Sequence, residues 1–452
     1  MDLQDRKEIT ENISYLLHEQ DIPKLKNIIV DTHPADLADI IRDMDDDERN
    51  EMFKLLDPET ASEVMLEFDD VTREDLIKDL ETSRLSEIVN EMDSDDATDV
   101  IATLPEPVAN TVLSQIDTED RVEVEKLLVH EEDTAGGIMA LETVTVFDDQ
   151  TVDDAIQVIR QKSQEIEHVY QVYAIDREGR LVGIVPLKKL ILSSPETLIR
   201  DVMQRDVISV TAEKDQEYVA NLVSKYDLLT VPVVDAHNRL VGRITIDDVV
   251  DVLQEEANED IRRMAGISSE EALQETSSFR LSRNRLPWLF IAFVGELVSA
   301  FIMSRFNASL QQIITLSFFV PVIMAMGGNS GIQASTIVVR SIAMDEGGAS
   351  NRWDMLYREF RVALINGLTF ATLIFAIIYF WLHQPLFGLV VSFALMFVIV
   401  FSVVVGTIIP VVLHRMKFDP AIATGPFITT SNDVFGLLIY FSMAAAYLKW
   451  LQ

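Results

Sequence analysis

The spacing of apolar positions changes three times along this chain, and each change predicts a different kind of structure. From the start to about Val129, short amphipathic runs of helical spacing alternate with breaks, and a fixed shift of the chain on itself superposes them. The shift that takes Met44 to Phe68 also reaches Met92 and Ile116, each followed by an aspartate: Asp45, Asp69, Asp93 and Asp117. It aligns Leu56, Leu80, Leu104 and Leu128 as well, and Pro34 with Pro58. Units with two short helices and a break predict stacked helical hairpins, which bury a continuous core only against their neighbours. An α-superhelix over residues 22 to 130 is expected.

From residue 138 to about residue 259 the pattern becomes strand, helix, strand, strand, helix, twice. Residues 169–175 lead through a turn at 176–180 to a second strand at 181–185; residues 229–234 lead through 235–239 to 240–244 in the same way. Residues 252 to about 285 are polar helix formers that turn basic at Arg280, Arg283 and Arg285. Five apolar runs follow, at about 286–303, 313–343, 362–382, 387–413 and 421–448, each reaching the roughly 20 residues needed to span a bilayer.

Charge separates the same two bodies. The chain has 74 acids and 37 bases. From Leu286 onward there are seven acids and eight bases, which leaves 67 acids and 29 bases, a net of −38, on the part that precedes it. Such a charge disfavours nucleic acid as a partner and stores self-repulsion that cations relieve. With no cysteine there is no disulfide framework, thiol nucleophile or Cys-type zinc site. No apolar run stands near the start, so no cleaved signal peptide is expected and the acidic body is expected in the cytoplasm. Nine bases flank the predicted inner ends of the spans against Arg305 and Lys449 outside, and an odd number of spans puts the carboxy terminus on the extracytoplasmic side.

Within this frame the acids are the candidate chemistry. Each repeated aspartate stands just before a helical run, where an N-cap explains it. Asp93-Ser94-Asp95-Asp96 exceeds what capping needs, and hard cations take oxygen ligands of this kind. Asp248, Asp251, Glu255 and Glu259 fall on one helix face, where like charges repel; a solvated helix and an ion-binding surface both fit. In the membrane body the fifth run holds Asp433, and an acid at the bilayer centre costs roughly 2.5–3.5 kcal/mol unless it faces protein, water or a cation. At about 1.5 Å per residue it lies roughly 18 Å from the inner end of its helix, near the middle of a ~30 Å core. Three runs carry expected interruptions: Pro321 with the glycine cluster at 327–331, Pro410, and Gly425-Pro426. Glycines at this depth permit close helix packing or a water-filled path lined by carbonyls, and Gly328, Asn329, Gln333 and Asn432 are the candidate lining residues. Glu296, distant from Asp433 in the sequence, is open between the pathway and a hydrogen bond inside the bundle.

The two strand–helix copies resemble a tandem pair of CBS modules, because turn, glycine and helix start fall in place twice. Such modules often hold adenine nucleotides through a Thr or Ser and an acid three residues on. The second copy has Thr245 and Asp248; the first has Pro186 and Lys189, so at most one ATP site of that type is implied. With the run Glu131-Glu132-Asp133-Thr134-Ala135-Gly136 entering the pair, the Pro321 to Gln333 stretch and Asn432-Asp433, the whole chain resembles the MgtE family of Mg²⁺ channels.

That resemblance implies a multidomain protein: an acidic α-superhelical N domain at 1–130, tandem α/β CBS domains at 131–259, a connecting plug helix at 260–285 and a polytopic α-helical membrane domain of five helices at 286–452. It implies a homodimer in the plasma membrane with one pore on its axis, Asp433 as the pore's cation site, and cytosolic Mg²⁺ as both substrate and regulator. The sensor acids it implies are Asp93 and Asp96; Glu217, Asp227, Asp248 and Asp251; Glu256 and Glu259; and Asp419 at the inner mouth. Bridging them would close the pore, a negative feedback. Mg²⁺ usually keeps several waters and takes one or two carboxylates, which suits a pore aspartate. A transporter of Co²⁺, Ni²⁺, Mn²⁺ or an organic solute, a sensory receptor and a membrane-embedded hydrolase are the alternatives. The hydrolase wants a carboxylate pair around a water, and Asp433 with distant Glu296 is not expected to supply one, so the chain is expected not to be an enzyme.

Overall fold

The structure, a computed structural model, describes residues 3–162, 166, 168–264, 278–307, 311, 313–343, 349–420 and 425–451. The expected plug helix therefore lies outside the described residues over 265–277, as does the start of the fifth apolar run at 421–424. The chain divides into two compact units, Met1–Gln254 and Glu255–Gln452.

The first unit opens with ten helices: α1 (Leu3–His18), α2 (Ile22–Asp31), α3 (Pro34–Arg42), α4 (Asp46–Lys54), α5 (Pro58–Leu66), α6 (Asp70–Asp79), α7 (Thr82–Val89), α8 (Ser94–Ala102), α9 (Glu106–Gln115) and α10 (Thr118–Leu127). Alternate helices begin at one fixed interval, at Ile22, Asp46, Asp70, Ser94 and Thr118, and at Pro34, Pro58, Thr82 and Glu106. The period seen in the sequence is the period of the fold. Helices α3, α5, α7 and α9 stack in succession, and one apolar core runs from Ile13 through Leu37, Phe53, Met65 and Ile88 to Val124. No single hairpin encloses its own apolar face, so the stack is needed to dehydrate it.

Two three-stranded sheets follow. The first joins β1 (Thr145–Phe147), β2 (Gln171–Ile175) and β3 (Leu181–Pro186), with helices α11 (Val152–Gln161), α12 (Leu187–Leu192) and α13 (Ile199–Val202). The second joins β4 (Val210–Thr211), β5 (Thr230–Val234) and β6 (Leu240–Thr245), with α14 (Gln216–Tyr226) and α15 (Ile246–Met264). In each sheet the first pair is parallel, across a helix, and the second is an antiparallel hairpin. The hairpin turns use one chemistry twice. Asp176 Oδ1 accepts from the N–H of Glu178 and Arg180, and Asp235 Oδ1 from those of His237 and Arg239. The fourth turn residue is left-handed in both, Gly179 at φ 80° and Asn238 at φ 60°, residue types that tolerate it.

The second unit holds the end of α15 and five long helices: α16 (Ser278–Arg305), α17 (Leu316–Ala343), α18 (Ala349–Leu382), α19 (Pro385–Arg415) and α20 (Pro426–Leu451). Helix α19 packs against α17, α18 and α20, and α16 packs against α20. Four of the five, over Leu281–Arg305, Leu316–Ile342, Trp353–Leu382 and Pro385–Arg415, are long and apolar enough to cross a membrane by length and composition. Helix α20 is long enough, at 26 residues, but opens with Thr429-Thr430-Ser431-Asn432-Asp433, and this polar run dilutes its hydropathy. The expected interruptions differ too. Pro321 and Pro410 lie inside continuous helices, because neighbouring helices and local adjustment accommodate a proline in a packed bundle. Only Gly425-Pro426 marks a helix start, the position where a missing N–H costs nothing.

Candidate cation sites

Asp45 and Asp69 behave as N-caps, each accepting from the N–H three residues on, of Glu48 at 3.0 Å and Thr72 at 2.9 Å. Asp93 holds the same place before α8 and makes no capping hydrogen bond. Its task is taken by Glu142, whose carboxylate accepts from the N–H and hydroxyl of Ser94, 48 residues before it, both at 2.9 Å. Ser94 Oγ in turn accepts from the Leu141 N–H at 2.9 Å. The segment leading into β1 thus docks on the helix N-terminus, and Asp93 is released to approach Arg243, with 4.0 Å between Oδ2 and Nη2.

Asp93, Asp95, Asp96, Glu142 and Asp248 consequently share one electrostatic environment. Burial pushes the Asp95 carboxyl well above the usual range, and Asp96, Asp248, Asp93 and Glu142 add repulsion. Asp96 is pushed up to about 8, by burial and then by Asp248, Asp93 and Asp99, with Arg73 opposing. Asp248 is pushed up to about 6 by burial, against hydrogen bonds from the Thr245 hydroxyl and N–H that hold it down. Desolvation and like charge both disfavour the ionised form, so this cluster requires protons or a cation from solution. Two of the expected sensor acids of the N domain, Asp93 and Asp96, are thereby brought to Asp248. Glu142, Asp95 and Arg243 join them; Glu142 carries no local sequence signal, because its role comes from docking.

Thr245 and Asp248, expected to grip a ribose, bond each other, with Asp248 Oδ2 accepting from the Thr245 N–H at 2.9 Å and hydroxyl at 2.7 Å. Thr151 and Asp154 make the same pair at the start of α11. Asp251 is raised by burial and by Asp247. Glu217 sits in the first turn of α14 and Asp227 at its left-handed C-cap, φ 52°, so these two stand at opposite ends of one helix.

In the second unit an arginine neutralises acids. Arg263 pairs with Glu259 one turn back on α15 and with Asp419. Burial raises the Glu259 carboxyl, with Asp419 adding to it and Arg263 opposing; Asp260 is raised by burial, Asp419 and Glu256. Among the described residues no three His, Asp or Glu side chains form a ready-made metal cage.

Inside the bundle, Asp433 is half-buried. Glu296, expected to be distant, is its hydrogen-bond neighbour, because α16 and α20 meet where a Cβ on Gly295 would overlap Thr430. Asn432, expected to line a path, is only 1% exposed and donates to Gly327 O at 3.3 Å. A Cβ on Gly331 would overlap its amide, and one on Gly406 would overlap Gly331 O. These glycines serve close packing. Gly328 has open space beside it, and Asn329 and Gln333 are exposed, so these three alone of the four expected lining residues present an open polar face.

The MgtE family, described as divalent cation transporters, matches residues 320–443; the MgtE intracellular N domain matches 32–133; CBS domains match 135–195 and 199–255. The magnesium transporter MgtE of Bacillus subtilis is 37% identical over 325 residues, 72% of each chain. That of Thermus thermophilus is 36% identical over 328 residues, 72% of this chain and 73% of the relative. Among solved structures, the soluble part of a magnesium transporter is 30% identical with a TM-score of 0.52, covering 56% of this chain and 99% of that one. The cytosolic domain of the Mg²⁺ channel MgtE in complex with ATP is 33% identical with a TM-score of 0.52, covering 54% and 99%.

Proposed function

Because this chain belongs to the MgtE family of magnesium transporters, we propose that it carries Mg²⁺ across the plasma membrane and that its own acidic residues close the path when internal Mg²⁺ is high. The observation that supports transport most directly is Asp433, a half-buried carboxylate on a helix of the apolar bundle, where only a cation, water or protein partner offsets its desolvation. A hydrated Mg²⁺ suits it, since this ion yields few of its waters and is held by one or two carboxylates. In a homodimer two copies of Asp433 would face one axial path, with Gly328, Asn329 and Gln333 along its wall. The acidic body faces the cytoplasm in this reading, and nothing is turned over covalently.

Feedback is carried by the under-neutralised acids. Mg²⁺ bridging Asp93, Asp96 and Asp248 replaces the proton that burial favours on Asp96 and offsets the repulsion among the three carboxylates. Closure requires tighter binding to the closed state, and several weak sites acting together steepen it. Glu217, Asp227, Asp251 and Glu256 extend the acidic surface, and the Glu259–Arg263–Asp419 bridge ties the end of α15 to the inner mouth, the lever by which a connecting helix would act. ATP, bound by a relative's cytosolic domain, would enter by opening the Thr245–Asp248 pair.

The test is Mg²⁺ flux through the full chain in liposomes, with internal Mg²⁺ varied from micromolar to tens of millimolar, for the wild type and Asp433→Ala. Wild-type flux suppressed by internal Mg²⁺ and abolished by the substitution is expected. Flux indifferent to both manipulations would overturn pore and feedback together, and the same assay with Co²⁺, Ni²⁺ and Mn²⁺ ranks the cations.

A further inference from the structure

We infer that Glu296 is a second carboxylate of the permeation path, so that a hydrated divalent cation meets a pair of acids, Glu296 and Asp433, contributed by two helices of one chain. The inference rests on the proposed transport reading and adds to it a residue that sets selectivity.

Helix geometry places the pair. Helices α16 and α20 touch at three successive levels. Trp288 and Phe427 meet edge to face with ring centroids 6.3 Å apart; Gly295 admits Thr430 into the space a Cβ would fill; and Glu296 reaches the Asp433 carboxyl. Thr430 and Asp433 are three residues apart and share a face of α20, so the glycine that lets Thr430 in also brings Glu296 level with Asp433. A larger residue at 295 would separate the two acids.

The environment argues against a purely structural pair. Glu296 is exposed on the described chain, between Phe293 and Leu297, themselves 58% and 53% exposed. An acid on such a surface inside a bilayer must face a water-filled path or another protein. Most described bases of α16 to α20 stand near helix ends, at Arg283, Arg285, Arg305, Arg340, Arg415 and Lys449, with Arg358 and Arg361 in the first half of α18, and the charged group that acts on Asp433 is Glu296. A polar atom on the same helix face as Glu296 is also orphaned: Ser299 Oγ, three residues along, is 2% exposed and has no hydrogen-bond partner among the described residues. The water shell of a cation supplies donors of the kind this oxygen lacks.

Two adjacent carboxylates act on charge more than on size. The attraction doubles for a divalent over a monovalent ion at the same distance, so the pair favours divalent cations at a depth where a single carboxylate discriminates less. Glu296 touches the permeating ion's water shell and needs no direct metal bond.

The experiment compares the wild type, Glu296→Gln and Glu296→Asp in full-length chain reconstituted into liposomes. It measures Mg²⁺ flux against Mg²⁺ concentration and its block by hexaamminecobalt(III), a rigid mimic of hydrated Mg²⁺. Equilibrium Mg²⁺ binding in detergent is the readout independent of flux. Glutamine keeps the volume and one acceptor oxygen of the side chain and removes its charge. We expect Glu296→Gln to raise the half-saturating Mg²⁺ about tenfold, to weaken block similarly and to admit monovalent cations, and Glu296→Asp to retain block. Glu296→Gln with wild-type half-saturation and block, even at reduced maximal flux, would make the residue structural and overturn the inference. Should Glu296→Gln fail to fold, Glu296→Asp decides alone, since loss of block in a folded protein that keeps the charge contradicts the inference. A wild type that passes no Mg²⁺ removes the transport reading first.

Discussion

The buried cluster at the start of α8 makes a quantitative demand on stability. Asp96 is pushed up to about 8 from an ordinary value of 3.8. Folding without metal therefore favours its protonated form. A carboxyl raised on folding leaves stability intact below its unfolded value and removes it as pH climbs through the folded one. Each pH unit inside that gap costs about 1.4 kcal/mol, so between about pH 5 and about pH 8 the metal-free unit loses on the order of 4 kcal/mol through this residue. Asp96→Asn keeps the shape and cancels the loss. At about 2–4 °C per kcal/mol for a domain of this size, the lead of the variant over the wild type in melting temperature without Mg²⁺ should widen by roughly 8–16 °C between about pH 5 and about pH 8. The first unit carries its own hydrophobic cores, so the melt can be followed on residues 1–254. Mg²⁺ should raise the wild-type melting temperature at the higher pH, as a ligand bound only to the folded state must, and raise the variant less. A variant destabilised near pH 8, or one equally stabilised at both pH values, would refute the reasoning.

Capping and sensing acids should separate by substitution. Asp69→Ala loses a cap and should cost about 1 kcal/mol while leaving the Mg²⁺ response of the melt unchanged; Asp93→Ala, whose helix is capped by Glu142, should cost less and blunt the response. In the bundle, Gly331→Ala and Gly406→Ala drive a methyl into Asn432 or into the α17 backbone and should each cost about 1–3 kcal/mol in a detergent melt. Gly328→Ala, facing open space, should melt like the wild type, and equal losses at all three positions would contradict the packing described.

The superhelix and the CBS pair were legible because periodicity carries them. Evenly spaced helix starts and two matching Asp turns are local regularities repeated along the chain. The sites were legible only in part. Asp93, Asp96 and Asp248 stand out as acids in excess, but their convergence depends on Glu142 crossing 48 residues to cap α8, a contact without any local signature. In the membrane unit, glycine at 327, 331 and 406 reads alike in the sequence with glycine at 328; only the neighbouring helix decides which is packed and which is open. Pro321 and Pro410 look like breaks in isolation and are absorbed by the bundle. Asn432 looked like a lining residue because it adjoins Asp433, yet successive residues of a helix point about 100° apart, and that rotation buries one beside Gly327 while the other meets Glu296.

Acidity alone therefore does not identify a sensor; what matters is which carboxylates the fold leaves uncompensated. Asp45 and Asp69 are satisfied by backbone N–H groups of their own helices and have nothing to gain from an ion. Glu259 and Asp419 are satisfied by Arg263, so a divalent cation reaching them must displace a guanidinium already in place. Asp95, Asp96 and Asp248 have only partial opposition from Arg73, Arg243 and Thr245, and Asp433 has another acid for a neighbour. On the proposed reading this difference orders the events. The α8 cluster, which gives up only protons, fills first as internal Mg²⁺ rises, and the arginine-bridged pair follows at higher concentration, so closure is graded by the counter-ion each acid already has.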